Sequence, residues 1–175
     1  MDLLMHLSRR IDALNRTVGR ATYWLLLVAV LVSAGNAITR KTLSVSSNAM
    51  LEIQWYLFSA VFLLCAGYTL LNHEHVRVDL LFSRLSRRHQ LWVEIGGTLL
   101  FLAPMTTLIL VLSWPSFVQA WQSGEVSANA GGLVRWPAKL LIPVGFGLLL
   151  LQGASELIKS IAELRDLDRG TTAAR

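Results

Sequence analysis

Four stretches of the chain are apolar for long enough to cross a bilayer, and charged residues are confined to their ends and to the gaps between them. A crossing takes about 20 apolar helical residues, with ~17 as the lower limit. The stretches cover residues 22–38, 51–71, 91–114 and 137–158, which is 17, 21, 24 and 22 residues. None alternates apolar and polar positions with period two, as a barrel strand would. Helices remain, because a helix satisfies all its own backbone groups in lipid. The pattern predicts an all-α integral membrane protein, one membrane domain over residues 1–175 with four transmembrane helices.

The gaps carry a second pattern. On a helical wheel of about 100° per residue, Leu3, Leu4, Leu7, Ile11, Leu14 and Val18 share one arc of roughly 100°, with Asp12, Arg16 and Arg20 opposite. Residues 1–20 are therefore expected to form an N-terminal amphipathic interfacial helix on the cytoplasmic leaflet. A cleaved signal peptide over residues 1–37, ending at the small Gly35 and Ala37, is the rival reading. The long and itself amphipathic segment before the apolar core speaks against it. Residues 76–88 repeat the amphipathic pattern more weakly and read equally well as a helical linker. Residues 159–175 are expected to be a cytoplasmic tail.

Charge then orients the spans. Lys and Arg number 16 against 11 Asp and Glu, for a net charge of +5 and a pI near 10.0. Twelve of the basic residues lie before span one, between spans two and three, or after span four, and only Arg40, Lys41, Arg135 and Lys139 lie on the other side. The positive-inside rule places both termini in the cytoplasm. The same placement, in gaps and not along one stripe, excludes nucleic acid as the partner of this basic chain. Composition agrees with the membrane assignment: 54% of residues are hydrophobic, 15% are charged and mean hydropathy is +0.51, where soluble domains are about 25% charged.

Chemistry is sparse. No Asp, Glu, Lys, Arg or His sits in the middle of a span, so no proton relay or self-contained ion path is expected. Cys65 is alone, which excludes a disulfide scaffold or a redox pair. No phosphate loop, zinc-spaced cluster or nucleophile elbow occurs, and no enzyme activity, cofactor or metal is expected. Small residues do recur, with Ala29, Ser33 and Ala37 every four residues on span one and Gly145 and Gly153 eight apart on span four. Such stripes let helices approach closely. Two readings stand: packing within this chain, or docking on a second membrane protein. Pro104 and Pro143 are expected to bend spans three and four.

Several segments together carry a family resemblance. Glu52 opens span two, Gly67 lies near its far end, and His75-Val76-Arg77-Val78-Asp79 follows. Trp121-Gln122-Ser123-Gly124-Glu125-Val126-Ser127 and Arg135-Trp136-Pro137-Ala138-Lys139 come later, and span four contains Pro143-Val144-Gly145-Phe146-Gly147. In this order they resemble the small permease subunit of tripartite ATP-independent periplasmic (TRAP) transporters, over nearly the whole chain. The resemblance implies an accessory subunit in a bacterial inner membrane, without enzymatic activity. Its implied partners are a large permease subunit that performs sodium-coupled uptake of an organic acid, a periplasmic solute-binding protein, and the lipid bilayer. The acidic residue opening span two is often a pair in that family, and Glu52 is single here.

Candidate partner-facing residues follow: Ala29, Ser33, Ala37, Glu52, Gly67, Asp79, Glu125, Ser127, Arg135, Gly145 and Gly153. Glu52 reads either as a carboxylate favoured by its helix N-terminus, with Asn48 as the N-cap, or as half of an inter-subunit salt bridge. Asp79 would pair with Arg77 or cap the following helix. Gln119, Glu125, Ser127 and Asn129 lie on the longest external loop, expected over residues 115–136, where a delivered binding protein would dock. Arg135 and Lys139 are expected to snorkel. The competing function is an autonomous homo-oligomeric channel or exporter.

Overall fold

A computed structural model describes residues 2–43, 47–72 and 85–173. All its regular elements are helices: α1 Asp2–Leu43, α2 Asn48–Leu71, α3 Arg87–Gly97, a π-helical turn Thr98–Leu102, α4 Ala103–Ser123 and α5 Trp136–Ala173. The segment from Arg87 to Ser123 is one long span, so four helices are long and apolar enough to cross a membrane. The four predicted spans are all present, and each helix runs past its apolar stretch.

Helix α5 is the hub. It touches α1, α2, α3 and α4, while α1 and α2 also pack on each other. Close contacts give the directions. Gly67 lies by Leu148 and Gly145 by Leu63, so α2 and α5 run parallel, whereas Gly153 lies by Leu102 and Gly147 by Leu110, so α4 runs against α5. Ser8 meets Ser155 and Asn15 meets Leu148, which sets α1 antiparallel to α5.

The first helix differs from expectation. No break separates residues 2–20 from the first span, and α1 is a single helix of 42 residues, about 63 Å long at 1.5 Å per residue. Ser8, Asn15, Thr22, Ala29 and Asn36, seven residues apart, are all buried. This heptad spacing keeps one seam facing the bundle along nearly the whole helix. The seam is small and polar, while Leu3, Leu4, Leu7 and Leu14 are exposed. Asp12, expected to point outward, turns into the bundle toward α5. In lipid that inversion is favourable, because apolar side chains lose nothing by facing the bilayer and buried polar groups gain partners.

The C-terminal segment is helical too, as α5 continues to Ala173. Arg87 donates to Glu163 through Nε at 2.6 Å and Nη2 at 2.7 Å, and Arg88 lies 3.3 Å from Asp168. These pairs tie the start of α3 to the extension. Pro104 lies just after the π turn. A proline removes one helical hydrogen bond and crowds the carbonyl four residues back, here Leu100, and the wider turn accommodates both. Pro115 lies inside α4, so residues expected in the external loop are helical to Ser123.

Gly145 marks the tightest α2–α5 approach: a Cβ there would lie 2.7 Å from the Leu63 carbonyl oxygen, a backbone atom that cannot rotate away. At Gly147 the nearest atom would be 3.5 Å off, on the Leu110 side chain. Gly145→Ala is expected to cost about 1–3 kcal/mol by forcing the helices apart, read as a lower melting temperature in detergent. Gly147→Ala should melt close to the unsubstituted protein, and equal melting of both variants would refute the close-approach assignment.

Candidate partner-binding site

The loop after α4 begins where Gly124 takes φ 60°, a left-handed conformation that glycine adopts without strain. The Glu125 amide bonds the Ala120 carbonyl at 3.2 Å, closing the helix end. The chain then folds back on itself. Val126 and Val134 form an antiparallel bridge, the Ser127 amide donates to the Leu133 carbonyl at 2.9 Å, and the Arg135 amide donates to the Glu125 carbonyl at 2.9 Å.

One face of α2 holds this loop down. Asn48, Glu52 and Tyr56 are spaced four apart and so lie one above another. Asn48 Nδ2 donates to the Ala130 carbonyl at 3.0 Å, and the Tyr56 hydroxyl donates to the Val134 carbonyl at 3.2 Å. Between them, buried Glu52 accepts three hydrogen bonds: from the Ser127 hydroxyl and from Asn129 Nδ2 at 2.9 Å on Oε1, and from the Leu133 amide at 2.7 Å on Oε2. Hydrogen bonds to an ionised carboxylate are about twice as strong as neutral ones. Glu52 is the latch of the loop. It does not cap α2: the N-cap position is Ser47, not Asn48, and no side chain caps that end.

Glu125 closes the outer edge, with Arg135 Nη1 at 3.1 Å and Lys139 Nζ at 2.5 Å. The hydrogen bond from Lys139 holds the Glu125 carboxyl below its usual range, against the opposing effect of partial desolvation. Arg135 and Lys139 therefore pair with Glu125 and do not simply snorkel. Trp136 packs edge-on against Trp121 at 4.5 Å between centroids, bracing α4 on α5 beneath the loop. Exposed on the loop are Val126, Val134 and the turn of small residues at 128–131, with Gly124 and Arg135 at its base.

At the opposite end lies a second polar group, which sequence reasoning missed. Ser155 Oγ sits 2.7 Å from Ser8 Oγ and donates to Asp12 Oδ1 at 2.7 Å. Gln152 Nε2 donates to Asp12 Oδ1 at 2.9 Å and to Glu156 Oε1 at 3.0 Å, while its Oε1 accepts from Asn15 Nδ2 at 3.0 Å. Lys159 Nζ bridges Asp12 at 2.7 Å and Glu156 at 2.9 Å. The recoverable signal was the pairing of two helical spacings, 8, 12 and 15 on α1 against 152, 155, 156 and 159 on α5. A search for charges at mid-span passes over Ser, Asn and Gln.

The remaining candidates are dispersed. Gly67 meets Asn15, whose Oδ1 points at its bare Cα, Gly145 meets Leu63, and Gly153 meets Leu102. Those three glycines fill packing space within this chain. On the span-one stripe Ala29 is buried, Ser33 half-buried and Ala37 exposed. Asp79 and most of the segment 76–88 lie outside the described residues. Among the described residues no group of three His, Cys, Asp or Glu side chains is placed to hold a metal ion.

Four apolar helices capped at one end by a latched polar loop, without a metal-ligand cluster among the described residues, define a multi-pass membrane protein. Residues 29–163 match the family model described as "Tripartite ATP-independent periplasmic transporters, DctQ component", and the chain belongs to that family. It is the small component of these transporters, as the order of its motifs predicts. No curated protein and no solved structure gave a match.

Removing the charge of the latch should free the loop. Glu52→Gln keeps the shape but puts an amide N–H₂ against the donors, so amide exchange at Ser127 and Leu133 should quicken at least tenfold. Unchanged protection at both amides would mean that Glu52 does not hold the loop. The outer pair makes a pH prediction. A carboxyl whose folded-state pKa is depressed contributes stability above its ordinary pKa, and that contribution is lost as pH falls through the lowered value. Fluorescence of the Trp121–Trp136 pair should therefore stay constant from neutral pH to the ordinary value of 4.5 and change only below it. A transition above that value would contradict the pairing.

Proposed function

We propose that this chain is the accessory membrane subunit of a sodium-coupled, binding-protein-dependent importer of an organic acid. In this reading it lies in the bacterial inner membrane with both termini cytoplasmic. It packs against the large permease subunit, and the latched loop faces the periplasm. The observation that carries the reading is the family match over residues 29–163 of a four-helix chain. The placement of polar groups supports it. Both clusters lie toward the ends of the bundle and spend their hydrogen bonds on joining helices or fixing a loop, which suits a scaffold better than a conduit. Only Arg40, Lys41, Arg135 and Lys139 lie toward the latch end, against twelve basic residues toward the other, in line with a cytoplasmic face there.

The loop then offers a docking face for a loaded binding protein. Its rim charges are already paired with each other, so the contact surface is the low tip around residues 128–131 with Val126 and Val134. Loosening the latch should blunt that surface without touching ion coupling, because coupling ions in secondary transporters sit near the bilayer midplane. The test is uptake into proteoliposomes holding both membrane subunits, titrated with loaded binding protein at two sodium concentrations. Glu52→Gln is expected to raise the binding-protein concentration needed for half-maximal uptake several-fold and to leave the sodium half-saturation where it was. A shifted sodium half-saturation with an unchanged binding-protein titration would place this subunit in the coupling site and overturn the assignment.

A further inference from the structure

The N-terminal half of α1 lies outside the segment that matches the family model, which begins at residue 29, and it has three distinct faces. The first is the seam of Ser8, Asp12 and Asn15, used up on α5. The second carries Leu3, Leu7 and Leu14, with Leu3 82% exposed. The third carries Arg9, Arg16 and Arg20, which fall within roughly 40° of one another at 100° per residue, and all three are exposed. Leucine and arginine faces stand roughly 140° apart, each about 100–120° from the seam. One turn beyond Arg20 come Tyr23 and Trp24, the latter 72% exposed, a pairing typical of the headgroup layer.

Among the described residues none of Arg9, Arg16 and Arg20 forms an ion pair. Of the carboxylates described at this end, Asp12 and Glu156 pair with Lys159, Glu163 with Arg87 and Asp168 with Arg88, Glu94 accepts from the Ser160 hydroxyl, and none of them, nor Asp166, pairs with these arginines. The one side-chain hydrogen bond in this set joins Arg9 Nε to the Met5 carbonyl at 3.4 Å. Three guanidinium groups thus form a ladder along one exposed face of α1, whose last rung, Arg20, lies one turn from the aromatics.

We propose that this ladder binds anionic phospholipid, with lipid phosphates on Arg9, Arg16 and Arg20 and acyl chains along Leu3, Leu7 and Leu14. Charge complementarity selects that occupant. A zwitterionic headgroup brings no net charge to three unpaired cations, and an acidic soluble protein would leave the adjoining leucines in water. The binding needs positive charge more than guanidinium geometry, since each basic residue near a negatively charged surface adds its own Coulombic increment.

The full-length chain in nanodiscs of equimolar phosphatidylglycerol and phosphatidylcholine, released into detergent and weighed by native mass spectrometry, tests this. The unsubstituted chain should retain phosphatidylglycerol in preference to phosphatidylcholine, and raising the salt should weaken that preference. Replacing Arg9, Arg16 and Arg20 together by Gln should reduce the preference by about fivefold per arginine removed. The corresponding triple Lys variant should keep most of it. Arg165→Gln with Arg169→Gln, basic residues on the α5 extension, should change it little. Should the triple Gln variant fail to fold, Arg16→Gln alone with the salt titration decides in its place. Equal retention of the two lipids, a salt-independent preference, or loss of the preference in the Lys variant would each overturn the proposal.

Discussion

Lipid offers no hydrophobic gain for bringing one apolar helix against another, so this bundle must be held by close backbone approach and by buried hydrogen bonds. Both devices meet at the contact of α1, α2 and α5. Asn15 bonds Gln152 and turns its remaining oxygen onto the bare Cα of Gly67, while Gly145 lets α5 reach the Leu63 carbonyl. Asp12, Ser155, Gln152 and Lys159 then form one connected group with Asn15, whose Nδ2 is bonded while its buried Oδ1 has no hydrogen-bond partner among the described residues. These bonds form only when the two helices are aligned residue to residue, so α1 and α5 are fixed in register as well as in proximity.

That register extends to the other end of the molecule. Because α2 and α5 run parallel and are clamped at Gly67 and Gly145, the face of α2 bearing Asn48, Glu52 and Tyr56 stands directly under the chain that enters α5. The loop at residues 124–135 therefore needs no regular strand pair to be ordered. It is short, its two arms bridge once, and a carboxylate from below takes up the amide and side-chain donors that the turn leaves over. The loop surface is set by the bundle beneath it, which is the property a docking face requires.

The four spans, their helical nature and the family were all legible in the residues, because length and hydropathy fix a crossing and the order of motifs is distinctive. The faces of the helices were not. Leu3, Leu4, Leu7 and Leu14 gave an amphipathic arc, and a rule suited to water assigns the opposite arc to solvent. In a bilayer the flank between the two arcs, with Ser8, Asp12 and Asn15, was the one that had to be buried, while Arg16 and Arg20 opposite the leucines stay exposed. Glu125 read as a free rim charge because its partners Arg135 and Lys139 are 10 and 14 residues away across a turn. Glu52 stood out as the carboxylate opening span two, yet its partners at residues 127, 129 and 133 come from a loop whose folding back leaves no periodic trace. The end of α4 was misplaced because Pro115, a stop signal in water, sits inside a helix.

The contact on which this account rests is the docking of the N-terminal half of α1 on α5, and disulfide trapping measures it directly. With Cys65 replaced by Ser, Ser8→Cys and Ser155→Cys would place two thiols where two hydroxyl oxygens now lie 2.7 Å apart. A mild oxidant applied to native membranes should cross-link them rapidly and almost completely, while Leu3→Cys with Ser155→Cys should stay reduced. No cross-link between positions 8 and 155, or an equal one from position 3, would show that residues 2–20 lie away from the bundle and would contradict the seam.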